Sequence, residues 1–259
     1  MTEITKLGGI PMKSSLISVT FRKKSLEETV DIAVRGGLDA IEWGGDVHVP
    51  PTDPAAADKA LQLCRDRGLA ISAYGSYYRC NDGEDFAPIL DTALRLQTKV
   101  IRVWAGGFDP SSNCTEEHRA KIVAKLRKAV AMAAEHGCIL ATEYHANTLT
   151  DCQESALRLA SEVPGLYTYW QPTSRMSREE NISNILGLGK LIKNVHMYHR
   201  NPSNQRMPLA VGAEDWKAYL AALRDHTDTG YVGLEFVAED SVEQYLEDCK
   251  TLHALMNGL

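Results

Sequence analysis

Glu143 and His145 stand two residues apart in "CILATEYHANT" (138–148), where the apolar run 139–141 turns polar. On an extended strand that spacing sends a carboxylate and an imidazole to the same face. Three more polar residues occupy the same kind of position: Gln171 in "YWQPTS", His196 in "NVHMYHR" and Glu235 in "GLEFVAED". Each follows a stretch that reads as a buried strand, so Glu143, Gln171, His196 and Glu235 should converge near one axis. A lone buried carboxylate can be a structural ion pair, and a lone histidine a satisfied core residue. Two carboxylates, an imidazole and an amide oxygen together are costly to bury without a partner. One divalent metal ion removes that cost, and this mix of oxygen and nitrogen donors suits Mn²⁺, Mg²⁺, Co²⁺ or Zn²⁺.

The elements that must position these residues alternate along the chain. Strand candidates fall at 16–21, 40–43, 70–74, 100–104, 139–143, 167–171, 195–198 and 232–236. Between them run amphipathic stretches such as "SLEETVDIAVRGG", with apolar spacings of three and four. Ser25 followed by Glu28 reads as a capping box, and Asp53 before Pro54 as a helix start. Gly36, Gly37, Gly68, Gly137 and Gly230 read as helix stops. Strand–helix alternation implies parallel strands joined by right-handed crossovers. Eight such units in 259 residues match an α/β fold, a single (β/α)8 TIM barrel spanning 14–259 behind an N-terminal extension, 1–13. A doubly wound open sheet would more often carry a glycine-rich phosphate turn, and no G-x-G-x-x-G is present.

The net charge of -6 argues against nucleic acid as a partner. No apolar run approaches the roughly 18–20 residues of a membrane span, and the N-terminal stretch lacks a signal-peptide core. A soluble cytoplasmic protein is expected. The six cysteines are scattered without a C-x-x-C pair, which favours reduced thiols over a disulfide framework.

In a barrel of this kind the site lies at the C-terminal strand ends. Glu42 and Trp43 end the second strand, Trp104 the fourth and Trp170 the sixth. Glu42, Trp43 and Trp104 are therefore candidate substrate contacts, since aromatic faces pack on the C–H faces of sugars; the alternative is that the tryptophans cap the core. The irregular segment 199–215 is long for a strand–helix loop and suspect as functional.

The glutamate ending strand five, the histidine of "NVHMY", the glutamate of "GYVGLEF" and the loop "RMPLAVGAEDW" (206–216) together resemble the xylose isomerase-like TIM-barrel superfamily. That group contains sugar phosphate isomerases and epimerases, including ketose 3-epimerases. The resemblance implies a metal held by Glu, Asp, His and Glu at strands five to eight, with the two glutamates also moving the proton. Glu143, His196 and Glu235 match directly, and Arg206, counted back from Trp216, matches a substrate-contacting arginine. The sixth-strand position departs: the family usually has aspartate there, often followed three residues later by histidine, whereas this chain has Gln171 and Ser174. His145 can compensate as a substrate contact. A DNA-repair endonuclease branch with three zinc ions needs more strand-end histidines and a basic face, which this chain lacks. Relatives are often dimers or tetramers, so a homo-oligomer is possible.

The reaction implied by the resemblance is isomerisation or epimerisation of a small carbohydrate, or its phosphate, through a metal-held enediolate with Glu143 and Glu235 as acid and base. A lyase or dehydratase acting on a keto sugar or oxidised glycoside, with His145 as base, uses the same parts. A non-catalytic sugar-binding or partner subunit is the rival from another class. If Gln171 lends its amide oxygen to a metal, Gln171→Asp adds a charge to a partly desolvated site and should tighten divalent-ion binding. Unchanged or weaker affinity in a calorimetric titration places Gln171 outside the ligand set.

Overall fold

Period-two alternation decides which side chains enter the barrel and which meet the helices. In the computed structural model, which describes residues 11–107, 109–173 and 175–259, the chain runs β1 (Lys13–Ile17), α1 (Leu26–Arg35), β2 (Ala40–Gly44), α2 (Pro54–Asp66), β3 (Ala70–Gly75) and α3 (Ala87–Arg95). It continues with β4 (Val100–Val103), α4 (Glu116–Glu135), β5 (Ile139–Thr142), α5 (Gln153–Glu162), β6 (Leu166–Trp170), α6 (Arg178–Leu188) and β7 (Ile192–Met197). A short hairpin follows, β8 (His199–Arg200) and β9 (Arg206–Met207), then α7 (Ala213–His226), β10 (Tyr231–Leu234) and α8 (Val242–Asn257). The hairpin strands pair antiparallel; the other eight close into a parallel barrel in which β10 lies between β7 and β1. This is the expected (β/α)8 barrel. Ten positions of the expected N-terminal extension lie outside the described residues, and Lys13 already belongs to β1.

Most helix ends follow the expected chemistry, although α7 stops at Thr227 rather than at Gly230. Ser25 and Glu28 form a reciprocal capping box, and Ser177 with Glu180 forms a second. Asp53 accepts from the Ala56 amide with Pro54 in the first turn. Gly37, Gly68 and Gly137 take left-handed φ of 65°, 71° and 65° just beyond α1, α2 and α4, a conformation that penalises any side chain with a Cβ. The first strand differs from its expected span, because pairing stops at Ile17 and 18–21 form a buried 3-10 turn. Hydroxyls take over from the ladder there: Ser18 Oγ accepts from the Gly44 amide at 2.8 Å, and Thr20 Oγ1 from the Phe236 amide at 3.0 Å.

One parity of each strand packs outward. Ile41, Trp43, Ile101, Val103, Trp170, Val195, Met197, Val232 and Leu234 join the core beneath the helices. The other parity fills the barrel with Glu42, Arg102, Tyr169, Asn194 and His196, all at most 4% exposed. Tyr169 fits because its apolar neighbours, Ala73 and Ala141, are small. Gly75 is required for the same reason: a Cβ there would lie 2.5 Å from Arg102 Nη2 and 2.7 Å from Glu42 Oε1. Gly75→Ala should therefore cost about 1–3 kcal/mol of stability by overpacking. Urea denaturation checks this, and a wild-type midpoint would mean the inner network can step aside.

Candidate active site

Glu143 and Glu235 sit one residue past β5 and β10, where the ladder still holds their backbones. The Glu143 amide donates to Val103 O and the Glu235 amide to Met197 O, each at 2.9 Å. Their carboxylates reach inward to His196 on β7. His196 Nδ1 lies 3.4 Å from Glu235 Oε2 and 3.9 Å from Glu143 Oε1. One ligand atom from each of the three lies within 4.8 Å of the others, and all three residues are buried. Gln171 lines the same cavity from the end of β6. Its Oε1 is buried without a hydrogen-bond partner among the described residues, as are both nitrogens of His196. Unpartnered polar atoms beside two buried carboxylates are what a divalent cation would satisfy, so the donor set fits the expected metal.

Beneath this cluster lies an ion network that the strand-end reading misses. Arg102 Nε donates to Glu42 Oε1 at 2.7 Å, and its Nη1 donates to Glu143 Oε2. Tyr169 donates its hydroxyl to Glu42 Oε2 at 2.9 Å, and Asn194 Nδ2 donates to the Tyr169 oxygen at 2.9 Å. The available signal is an arginine inside the apolar run "VIRVW", with inward parity between Ile101 and Val103. Burial disfavours the Glu42 carboxylate, but Arg102 and His196 beside it bring its carboxyl down to about 2. Burial also opposes charge on His196, yet Glu235 and Glu42 push it up to about 10. Glu235 is disfavoured as an anion by burial but is held below the usual carboxylate range by His196.

Above the cluster opens a cleft of about 980 Å³. His145 lines it with its Nδ1 2.7 Å from the Ala146 carbonyl and its ring 4.9 Å from that of Trp104. A carbonyl only accepts, so Nδ1 donates in this contact, and in a neutral imidazole Nε2 is then the basic nitrogen. Trp104 is flanked by Tyr77 at 6.2 Å and has the Arg79 guanidinium 4.0 Å over its face. Arg22, Arg79, Arg102, Arg175 and Arg200 line the cleft with Glu143, Asp151 and Glu235, Arg22 being paired with Asp46 and Arg102 with Glu42 and Glu143.

Three expected substrate contacts are placed elsewhere. Trp43 is fully buried on the outer side of the barrel, its ring 5.7 Å from that of His48, because Glu42 beside it takes the inward parity. Glu42 itself lies one layer below the cleft, 1% exposed, under Arg102 and His196. Arg206 pairs with Asp240 and stacks 4.3 Å over Phe236. The suspected segment does line the cleft, through Arg200, Pro202, Ser203 and Asn204. Trp170 packs against Trp216 and Tyr219 under the helices. Ser174 lies outside the described residues.

A model of the xylose isomerase-like TIM barrel family matches residues 30–255. The chain belongs to that family. A relative, the 3-dehydroshikimate dehydratase of Bacillus anthracis, is 28% identical over 163 residues, and the match spans 59% of this chain and 58% of that enzyme. The solved structure of a probable 3-DHS dehydratase involved in petrobactin synthesis, also from Bacillus anthracis, superposes with a TM-score of 0.80 at 22% identity, covering 93% of this chain and 99% of that one. A D-psicose 3-epimerase solved with D-fructose gives 0.71 at 16% identity over 94% and 98%. A xylose isomerase-like TIM barrel protein from Mycobacterium smegmatis in complex with magnesium gives 0.69 at 12% over 95% and 97%. At these identities the structural likeness is one of fold. Among the described residues no helix is long and apolar enough to cross a membrane.

Without metal, the raised pKa of His196 contributes stability that is complete below its ordinary value of 6.5 and is lost as pH rises through about 10. The depressed pKa of Glu42 works in reverse, contributing above 4.5 and losing its effect as pH falls through about 2. An ion at Nδ1 must displace the His196 proton. The chelator-treated protein should therefore melt lower as pH rises from 7 to 10, while Mn²⁺ affinity climbs about tenfold per pH unit. A metal-free melting temperature that stays flat over that range would remove His196 from this role.

Proposed function

We propose that the chain is a metal-dependent lyase that removes water from an anionic, polyhydroxylated ketone, with His145 as the base. The observation that carries this reading is the placement of His145, a residue outside the metal-ligand cluster, on the cleft wall, its Nδ1 2.7 Å from the Ala146 carbonyl and its ring against Trp104. Glu143, by contrast, already accepts from Arg102 through one oxygen and turns the other towards His196. When bound at Glu143, Gln171, His196 and Glu235, a divalent ion supplies Lewis-acid polarisation of a substrate oxygen.

His145 Nε2 takes a proton from the carbon beside the ketone. The electron pair of that C–H bond becomes the new carbon–carbon double bond as the C–O bond to the neighbouring hydroxyl breaks. The departing oxygen receives the proton back and leaves as water, so no further reactant is needed. Trp104 and Ala146 O hold the imidazole ring, while the arginine-lined cleft binds the anionic group. The similarity to a 3-dehydroshikimate dehydratase supports the same assignment.

Sugar isomerisation or epimerisation is the second reading. It is favoured by the placement of Glu143 and Glu235 around His196 and by the fold likeness to the D-psicose 3-epimerase. In that case His145 only orients the substrate. Proton NMR in D₂O with 3-dehydroshikimate, D-psicose and D-fructose separates the two. His145→Ala should keep its Mn²⁺ content and lose about 10²–10⁴-fold in turnover and C–H exchange. Full exchange in His145→Ala, with exchange abolished in Glu143→Gln and Glu235→Gln at saturating Mn²⁺, would assign the two-glutamate mechanism instead.

A further inference from the structure

Glu42 is sealed beneath the cleft, yet it is the most completely bonded carboxylate in the barrel interior. Its Oε1 accepts from Arg102 Nε and its Oε2 from the Tyr169 hydroxyl. Asn194 fixes the tyrosine in turn, donating from Nδ2 to its hydroxyl oxygen while its own Oδ1 accepts from the Tyr231 amide at 3.2 Å. The remaining neighbour of Glu42 Oε1 is His196 Nε2, 3.6 Å away. The opposite nitrogen of that imidazole, Nδ1, faces Glu143 and Glu235.

With an ion on Nδ1, a neutral His196 carries its proton on Nε2, and the carboxylate which that nitrogen faces is Glu42. Outer carboxylates of this kind orient a metal-bound imidazole and raise its donor strength. The interior charges agree: Glu42, Glu143 and Glu235 against Arg102 leave two negative charges, which one divalent ion cancels. The neutral Gln171 leaves that balance unchanged.

We infer that Glu42, fixed by Arg102 and Tyr169, is the positioning residue that aims His196 Nδ1 at a divalent ion held with Glu143 and Glu235. This rests on the metal reading of that cluster, and Co²⁺ alone tests the two separately, by its visible absorption during titration of the metal-free chain. Glu42→Gln should weaken Co²⁺ binding by about 10–100-fold and shift its visible bands, because the imidazole loses its orienting acceptor. Tyr169→Phe keeps every charge and the ring, and should move affinity and bands the same way by a smaller factor, about threefold or more. If Glu42→Gln does not fold, Tyr169→Phe decides. Metal-free melting temperatures are read alongside. A purely structural role would lower them and leave the Co²⁺ affinity and bands of the folded variants as in the wild type, which overturns the inference. A wild-type chain that takes up no Co²⁺ overturns the metal reading, and the inference with it.

Discussion

Three carboxylates and a guanidinium share the inside of the barrel, where water cannot solvate them. Each charge must therefore be answered by another charge or by a hydrogen bond. Much of the interior follows from that demand. Arg102 bridges Glu42 and Glu143, Tyr169 and Asn194 complete the acceptors of Glu42, and Gly75, Ala73 and Ala141 are small so that the network has room. At this end of the barrel, the described side-chain atoms left without a hydrogen-bond partner are both nitrogens of His196 and Oε1 of Gln171.

The strand-end donors are readable in the sequence because each interrupts an apolar run where a barrel places its chemistry. Glu143, Gln171, His196 and Glu235 share that signature. Rim position without parity misleads, and Trp43 shows why: once Glu42 faces inward, the next residue must face the helices. Arg102 obeys the same parity rule, but its meaning depends on Glu42 and Glu143, carried by strands on either side of it in the barrel and far apart in the chain. Arg206 lies in a segment with no periodicity to read. Its direction is set by the pairing of Arg200 with Arg206 across the small hairpin, which stacks both guanidiniums on Phe236, at 5.5 and 4.3 Å.

Rigid and adaptable parts are divided between strands and loops. The charged interior is fixed by strand register, whereas three of the five cleft arginines, Arg22, Arg79 and Arg175, stand on turns and loops and Arg200 on the short hairpin. The loop after β10 carries strain, with Phe236, Glu239 and Asp240 at left-handed φ of 56°, 60° and 52°. Such conformations cost of order 1–3 kcal/mol each and persist where surrounding contacts hold them. Here Thr20 Oγ1 takes the Phe236 amide and Arg206 clamps Asp240. Arg206 thereby braces the wall from behind, and Arg200 is the hairpin's arginine on the cleft.

The distribution of tryptophans has an optical consequence. Trp43, Trp170 and Trp216 are at most 1% exposed in the outer core, and only Trp104 stands on the cleft wall, between Tyr77, Arg79 and His145. Its emission is thus exposed to events that the other three indoles do not meet. The protein thus carries a built-in fluorophore whose intensity follows the arrival of a ligand in the cleft.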